Sequence, residues 1–141
     1  MSQTPATLDD ARAELGRRCN TIEEAYEFML AYAAQGMASD AHNSQVREFL
    51  RKCDGALADL PGFLMSFVRH MALESDAPYT AFLNVLERDA RDARAAVQLV
   101  LAQPAISSQL VDNLNASIHL RALLTDLFLI DEILRAQKRT T

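Results

Sequence analysis

The stretch at residues 106–139, ISSQLVDNLNASIHLRALLTDLFLIDEILRAQKR, decides the fold of this chain. It contains neither proline nor glycine, the two residues least favourable inside a helix. Pro104 precedes it and Ser107 lies at its start, and a proline followed by a capping hydroxyl favours a helix start. Lys138 and Arg139 close it, where positive charge suits the negative end of the helix dipole. The pattern predicts one long C-terminal helix.

The second half of this stretch is apolar on nearly every side of the predicted helix. At about 100° per residue, its large apolar side chains spread around the axis: Leu120, Leu123, Leu124, Leu127, Phe128, Leu129, Ile130, Ile133 and Leu134. A helix that is apolar all round must be covered all round. We therefore expect this helix to be the centre of a bundle, and a second copy of the chain to cover what remains in a homodimer. The charged residues between them exclude a membrane span.

Composition restricts the fold class and the partners. The chain has 141 residues, half of them hydrophobic, with only four glycines and four prolines. These values predict one globular, all-α domain at residues 1–141, with residues 1–6 disordered. A net charge of −5 argues against binding to nucleic acid or to an anionic membrane. The first fifteen residues lack the apolar core of a signal peptide, so we expect a cytoplasmic protein.

The rest of the chain predicts five further helices, from capping residues, helical spacing of apolar residues and the positions of glycine and proline. Their predicted ranges are a short one at 7–18, then 22–35, 44–59, 61–74 and 79–102. The boundary before the second rests on Thr21 and Glu24, which resemble a capping box. Cys19 then falls in a loop, and Cys53 on an apolar helix face. The predicted architecture is an up-and-down bundle of about five main helices plus a short leading one.

Asn115, His119 and Asp126 lie on one side of the predicted C-terminal helix, at i, i+4 and i+11. His119 and Asp126 are two turns apart, about 10 Å along the axis, so both would meet a facing helix rather than each other. Two interpretations remain open. The side chains bond to a neighbouring helix or to water, or they line a polar pocket that holds a ligand or ion.

His70 and Glu74 are spaced i, i+4, so that one side chain can orient the other. They form either a hydrogen bond at the surface or between helices, or a further part of the same pocket. A carboxylate di-iron site needs Glu-x-x-His pairs, and the chain contains none. We therefore predict no metal site and no cofactor.

Basic residues cluster in two places: Arg47, Arg51 and Lys52, and then Arg88, Arg91 and Arg94 with Glu87, Asp89 and Asp92 between them. Both clusters are typical of a surface with mixed charges and short-range ion pairs. Alternatively, they recognise a phosphate or an acidic partner.

Known catalytic motifs are absent, including phosphate-binding glycine loops and the HExxH zinc motif. The leading functional prediction is therefore a cytoplasmic accessory, adaptor or regulatory protein that acts through contacts with other proteins and is not an enzyme. The alternative is a ligand- or metal-binding bundle with a polar pocket around His119 and Asp126.

Overall fold

The computed structural model describes residues 8–41, 45–71 and 76–139, with side chains to residue 136. This part of the chain contains six helices and no strand. In order they are α1 (Leu8–Ala33), α2 (Gln45–Leu57), α3 (Leu60–His70), α4 (Ala77–Leu101), α5 (Ser108–Ala116) and α6 (His119–Arg139). The prediction of an all-α helical bundle is confirmed. The segment predicted to be disordered, residues 1–6, lies outside the described residues.

The two longest helices, α1 with 26 residues and α4 with 25, share the centre of the bundle. The other four helices, α2, α3, α5 and α6, each pack against both of them. Fully buried side chains such as Ile22 and Met29 of α1, and Leu86 and Val97 of α4, fill the core. The C-terminal helix α6 packs against α4, α1 and α5, and part of its apolar surface faces outward.

The N-terminal part of the chain is one helix, α1, and the predicted boundary at residues 18–22 is wrong. Thr21 does not cap a new helix, because its hydroxyl donates to the Arg17 carbonyl at 2.9 Å, one turn earlier in the same helix. Arg18 joins this region to the connection between α2 and α3 through an ion pair with Asp59 at 2.6 Å, and a second ion pair at 2.7 Å joins it to Glu14 within α1. The apolar stripe therefore continues without interruption.

The predicted single helix at residues 106–139 is instead two helices, α5 and α6, separated at Ser117 and Ile118. Ile118 has a φ of 63°, which takes the chain out of the helical path. The carbonyls at the end of α5 are satisfied there: the Ser117 hydroxyl donates to Leu114 at 2.5 Å, and the Ile118 N–H donates to Asn115 at 3.3 Å. Serine side chains compete in this way for backbone groups, so a helix can end without glycine or proline.

The α6 helix is buried on one side only. Six of the nine apolar residues of its sequence run are buried: Leu120, Leu123, Leu124, Leu127, Ile130 and Leu134. Phe128, Leu129 and Ile133 remain exposed. The expectation that a single chain leaves part of this helix uncovered therefore agrees with the fold.

A buried polar junction, formed by Tyr32, Met37, Ile106 and Ser108, joins the end of α1 to the start of α5. The Tyr32 hydroxyl donates to the Ile106 carbonyl at 2.6 Å, and the Ser108 hydroxyl donates to the Tyr32 carbonyl at 2.6 Å. The Ser108 N–H and the Met37 carbonyl form a further bond at 2.8 Å. Tyr32 is fully buried, so these bonds replace the water that its polar atoms lose.

Arg47 of α2 supports the same corner and is not available to a phosphate or an acidic partner. Its guanidinium contacts Asp40 at 2.5 Å and donates to the carbonyls of Leu101 at 3.1 Å and Gln103 at 2.8 Å. The other Asp40 oxygen accepts from the Ile106 N–H at 2.8 Å. The polar groups of Arg47 are thus used to hold the connection between α4 and α5.

We predict that Leu127→Ala lowers the free energy of unfolding by about 2–5 kcal/mol, because a large buried side chain is replaced and leaves a cavity. Leu127 has no exposed surface. Urea denaturation measures the change, and Leu99→Ala, at a residue 66% exposed on α4, is the matched control. We expect the control to cost less than about 1 kcal/mol. Equal losses in the two variants would contradict the assigned core.

Candidate functional site

Two carboxyl groups meet where α6 packs against α4. Asp126 of α6 lies beside Asp89 of α4, and a hydrogen bond between the two carboxyls requires that one of them carry a proton. Both residues are half-buried, and the Asp126 Oδ2 atom is shielded from solvent without a hydrogen-bond partner. Two ionised carboxylates contain no donor and repel one another. The contact between the two carboxyls therefore favours the protonated form of Asp126.

Burial is the largest cause that raises the pKa of Asp126, followed by the hydrogen bond to Asp89 and the negative charge of Asp89; together they bring it to about 7. A protonated carboxyl beside a second carboxyl is the arrangement used in acid–base catalysis by paired carboxyls. The pair thus has the chemistry of a proton donor and acceptor near neutral pH.

A substrate would also need a cavity beside these carboxyls. Three of the clefts on the described surface have volumes of about 420, 430 and 390 Å³. Their walls are formed by other residues, and neither Asp89 nor Asp126 is among them. None of the three therefore brings a substrate to the carboxyl pair.

The other predicted site residues lie as follows. Asn115 belongs to α5, and its amide Nδ2 and Oδ1 atoms are buried without a hydrogen-bond partner. His119 is the exposed first residue of α6. The break at Ile118 separates Asn115 from the helix that carries His119 and Asp126, so the continuous stripe expected from the sequence is lost.

His70 is exposed at the end of α3, and Glu74 lies outside the described residues, so the proposed His70–Glu74 pair stays a prediction. Across residues 8–41, 45–71 and 76–139, no group of three or more histidine, cysteine, aspartate or glutamate side chains is close enough to hold a metal ion. Among the predicted site residues, Asp126 is the one that the structure joins to another ionisable group, Asp89.

Asp89 was assigned from the sequence to the solvent-facing acids of α4, and this assignment is wrong. It lies three residues after Leu86 and four before Ala93, both buried, so it stands at the edge of the buried side. That spacing was visible in the sequence. Its neighbours do form surface ion pairs, since Arg91 contacts Glu87 at 2.8 Å and Arg94 contacts Asp54 at 2.9 Å.

The two thiols are buried, which makes them poor nucleophiles. Cys19 lies within α1 rather than in the predicted loop, and burial, with the charges of Asp131 and Glu23, raises its pKa to about 11. Burial and the charge of Asp54 raise the pKa of Cys53 to about 12, and Cys53 is a core residue as predicted. Both remain protonated at neutral pH, where the reactive thiolate is required.

We predict that Asp126→Asn makes stability less dependent on pH. The folded pKa of about 7 exceeds the unfolded value near 3.8, so the folded state holds a proton that the unfolded chain releases. Stability from the pair is complete below the unfolded pKa and falls as pH rises through 7. After allowance for solvent screening, we expect the wild type to lose about 1 kcal/mol between pH 5 and pH 8.

Urea denaturation at these two pH values measures the effect. Asp112→Asn, at an exposed carboxylate on α5, is the matched control and should retain the wild-type slope. An Asp126→Asn variant whose stability falls with pH as steeply as the wild type would refute the assignment.

Comparison with known proteins does not extend this description. No family profile, curated protein or solved structure matches the chain. Within the described part of the chain, no helix is both long and apolar enough to cross a membrane.

Proposed function

We propose that the protein is a non-enzymatic accessory or adaptor bundle that acts through protein–protein contacts, and that its contact surface lies on α6. The outer α6 face consists of the exposed residues Arg121, Thr125, Phe128, Leu129, Glu132, Ile133 and Ala136. The observation that carries the proposal is that three large apolar side chains lie exposed within two turns of this face. Phe128 is 49% exposed, Leu129 50% and Ile133 37%.

These residues share one side of the helix. At about 100° per residue, positions 121, 125, 128, 129, 132, 133 and 136 fall opposite the buried positions 123, 127, 130 and 134. Other large exposed apolar residues occur one or two to a helix, such as Leu30 on α1 and Leu99 on α4. Single exposed apolar residues are normal, whereas a contiguous group is typical of an interaction site.

The side chains with the chemistry of a catalytic site lie in surroundings that favour a non-enzymatic role. The carboxyl pair lines none of the three clefts, and both thiols have raised pKa values. Arg47 is bonded within the fold. Binding through α6 requires none of these groups.

A second candidate function is binding of a small polar ligand near Asp126. It is favoured by the Asp126 Oδ2 atom and the Asn115 amide, which are buried without hydrogen-bond partners. Buried polar groups are normally satisfied, and a ligand could supply the missing bonds. Native mass spectrometry tests it: a mass retained by the wild type and lost from Asp126→Asn would favour binding, whereas an empty wild-type protein would reject it.

We predict that a photo-crosslinking amino acid at position 129 captures a protein partner in cells. A second variant, in which Phe128→Asp is added, should lose the crosslink, because a carboxylate cannot be buried cheaply in an apolar contact. Phe128 and Leu129 are half-exposed, so both changes should leave the fold intact, which circular dichroism verifies.

The matched control places the crosslinker at Leu99, which is 66% exposed on α4. We expect a product at position 129 that is absent at position 99. Identical products at both positions, or none at position 129, would contradict the proposed contact surface.

A further inference from the structure

We infer that the partner of the outer α6 face is a second copy of this chain, with the two α6 helices antiparallel and Arg121 of each opposite Glu132 of the other. This inference rests on the proposed function, since it names the partner of the same surface. It is carried by the spacing of charges on that face.

Arg121 and Glu132 stand at opposite ends of the outer α6 face. They are eleven residues apart, which is about 16 Å along the axis and about three full turns, so both lie on one side of the helix. Neither forms an ion pair with another described side chain, in contrast to Arg135, which contacts Asp131 at 3.0 Å. Each is therefore a charge without a counter-charge among the described residues of its own chain.

A two-fold axis between positions 126 and 127 makes these charges complementary. In a symmetric dimer the same patch meets itself, and in an antiparallel pair low residue numbers on one helix face high numbers on the other. Arg121 then faces Glu132 of the second copy, and the same contact recurs at the other end. A parallel pair would instead place Arg121 against Arg121, and like charges would oppose it.

Two of the apolar residues, Phe128 and Leu129, fall near the centre of this arrangement. Phe128 lies about 2 Å along the helix from the axis and Leu129 about 4 Å, because each residue rises 1.5 Å. Phe128 of one copy therefore lies beside Phe128 of the other, with the charged pairs about 8 Å away on either side. An apolar centre within a charged rim is how protein interfaces are usually built.

Charge reversal tests the arrangement by sedimentation velocity across a wide range of concentrations. Arg121→Glu alone places two glutamates opposite each other at both ends, and Glu132→Arg alone places two arginines there. Because two pairs change from attraction to repulsion, we expect each variant to dimerise at least about tenfold more weakly than the wild type.

A mixture of the two variants tests the antiparallel charge pairing directly. A dimer of Arg121→Glu with Glu132→Arg has opposite charges at both ends, so the mixture should associate more strongly than either variant alone. The double variant with both changes should also recover dimerisation. Arg51→Glu, at an exposed arginine on α2, is the control and should not change the dimer.

A wild type that stays monomeric, or single variants that dimerise as strongly as the wild type, would overturn the inference. These failures are distinguishable from failure of the proposed function. If the protein is monomeric and position 129 captures a different protein, the contact surface on α6 is supported and the dimer is refuted. A dimer with the expected charge pattern whose position 129 captures only a second copy of the chain in cells would keep the geometry and lose the adaptor function.

Discussion

The buried hydrogen bonds between Tyr32 and the start of α5 are the constraint on which the arrangement of the bundle depends. α1 packs against α2, α3, α5 and α6, so the position of its last turn fixes where the later helices can lie. Tyr32 binds Ile106 through its hydroxyl and Ser108 through its carbonyl. Burial raises the pKa of the Tyr32 phenol, so it remains a proton donor at neutral pH. Loss of any of these bonds would leave buried polar atoms unsatisfied.

Two carboxyl environments give the fold opposite responses to pH. The Ile106 N–H and then the Arg47 guanidinium lower the pKa of Asp40, so its contribution is complete at neutral pH and is lost as acid protonates it. Burial and Asp89 raise the pKa of Asp126, so its contribution is lost as pH rises through about 7. The ionised group closes one corner, and the protonated group joins α4 to α6. Stability from these two sites is therefore greatest at mildly acidic pH.

Apolar spacing was sufficient to predict the helical class and the approximate ranges of α2, α3 and α4, because burial of one side determines these helices. The boundaries that failed depend on competition between local bonds. Thr21 bonds backward along α1 instead of capping a new helix, and Ser117 ends α5 without glycine or proline. The sequence identifies Asp126 as a polar residue in an apolar run, but it does not predict that Asp89 lies beside it. Asp89 is 37 positions away, and only the packing of α4 on α6 brings the two carboxyls together.

The outer α6 face carries apolar residues that folding of the single chain does not require but that the proposed contact does. An amphipathic helix needs apolar residues only on the side that meets the core, and α6 satisfies this with residues such as Leu123, Leu127 and Ile130. Phe128 and Leu129 contribute little to that core, since about half of each side chain meets solvent. Their apolar character is therefore not explained by the stability of the single chain. A contact that buries Phe128 and Leu129 is stabilised by the hydrophobic free energy of the surface that remains exposed in the single chain.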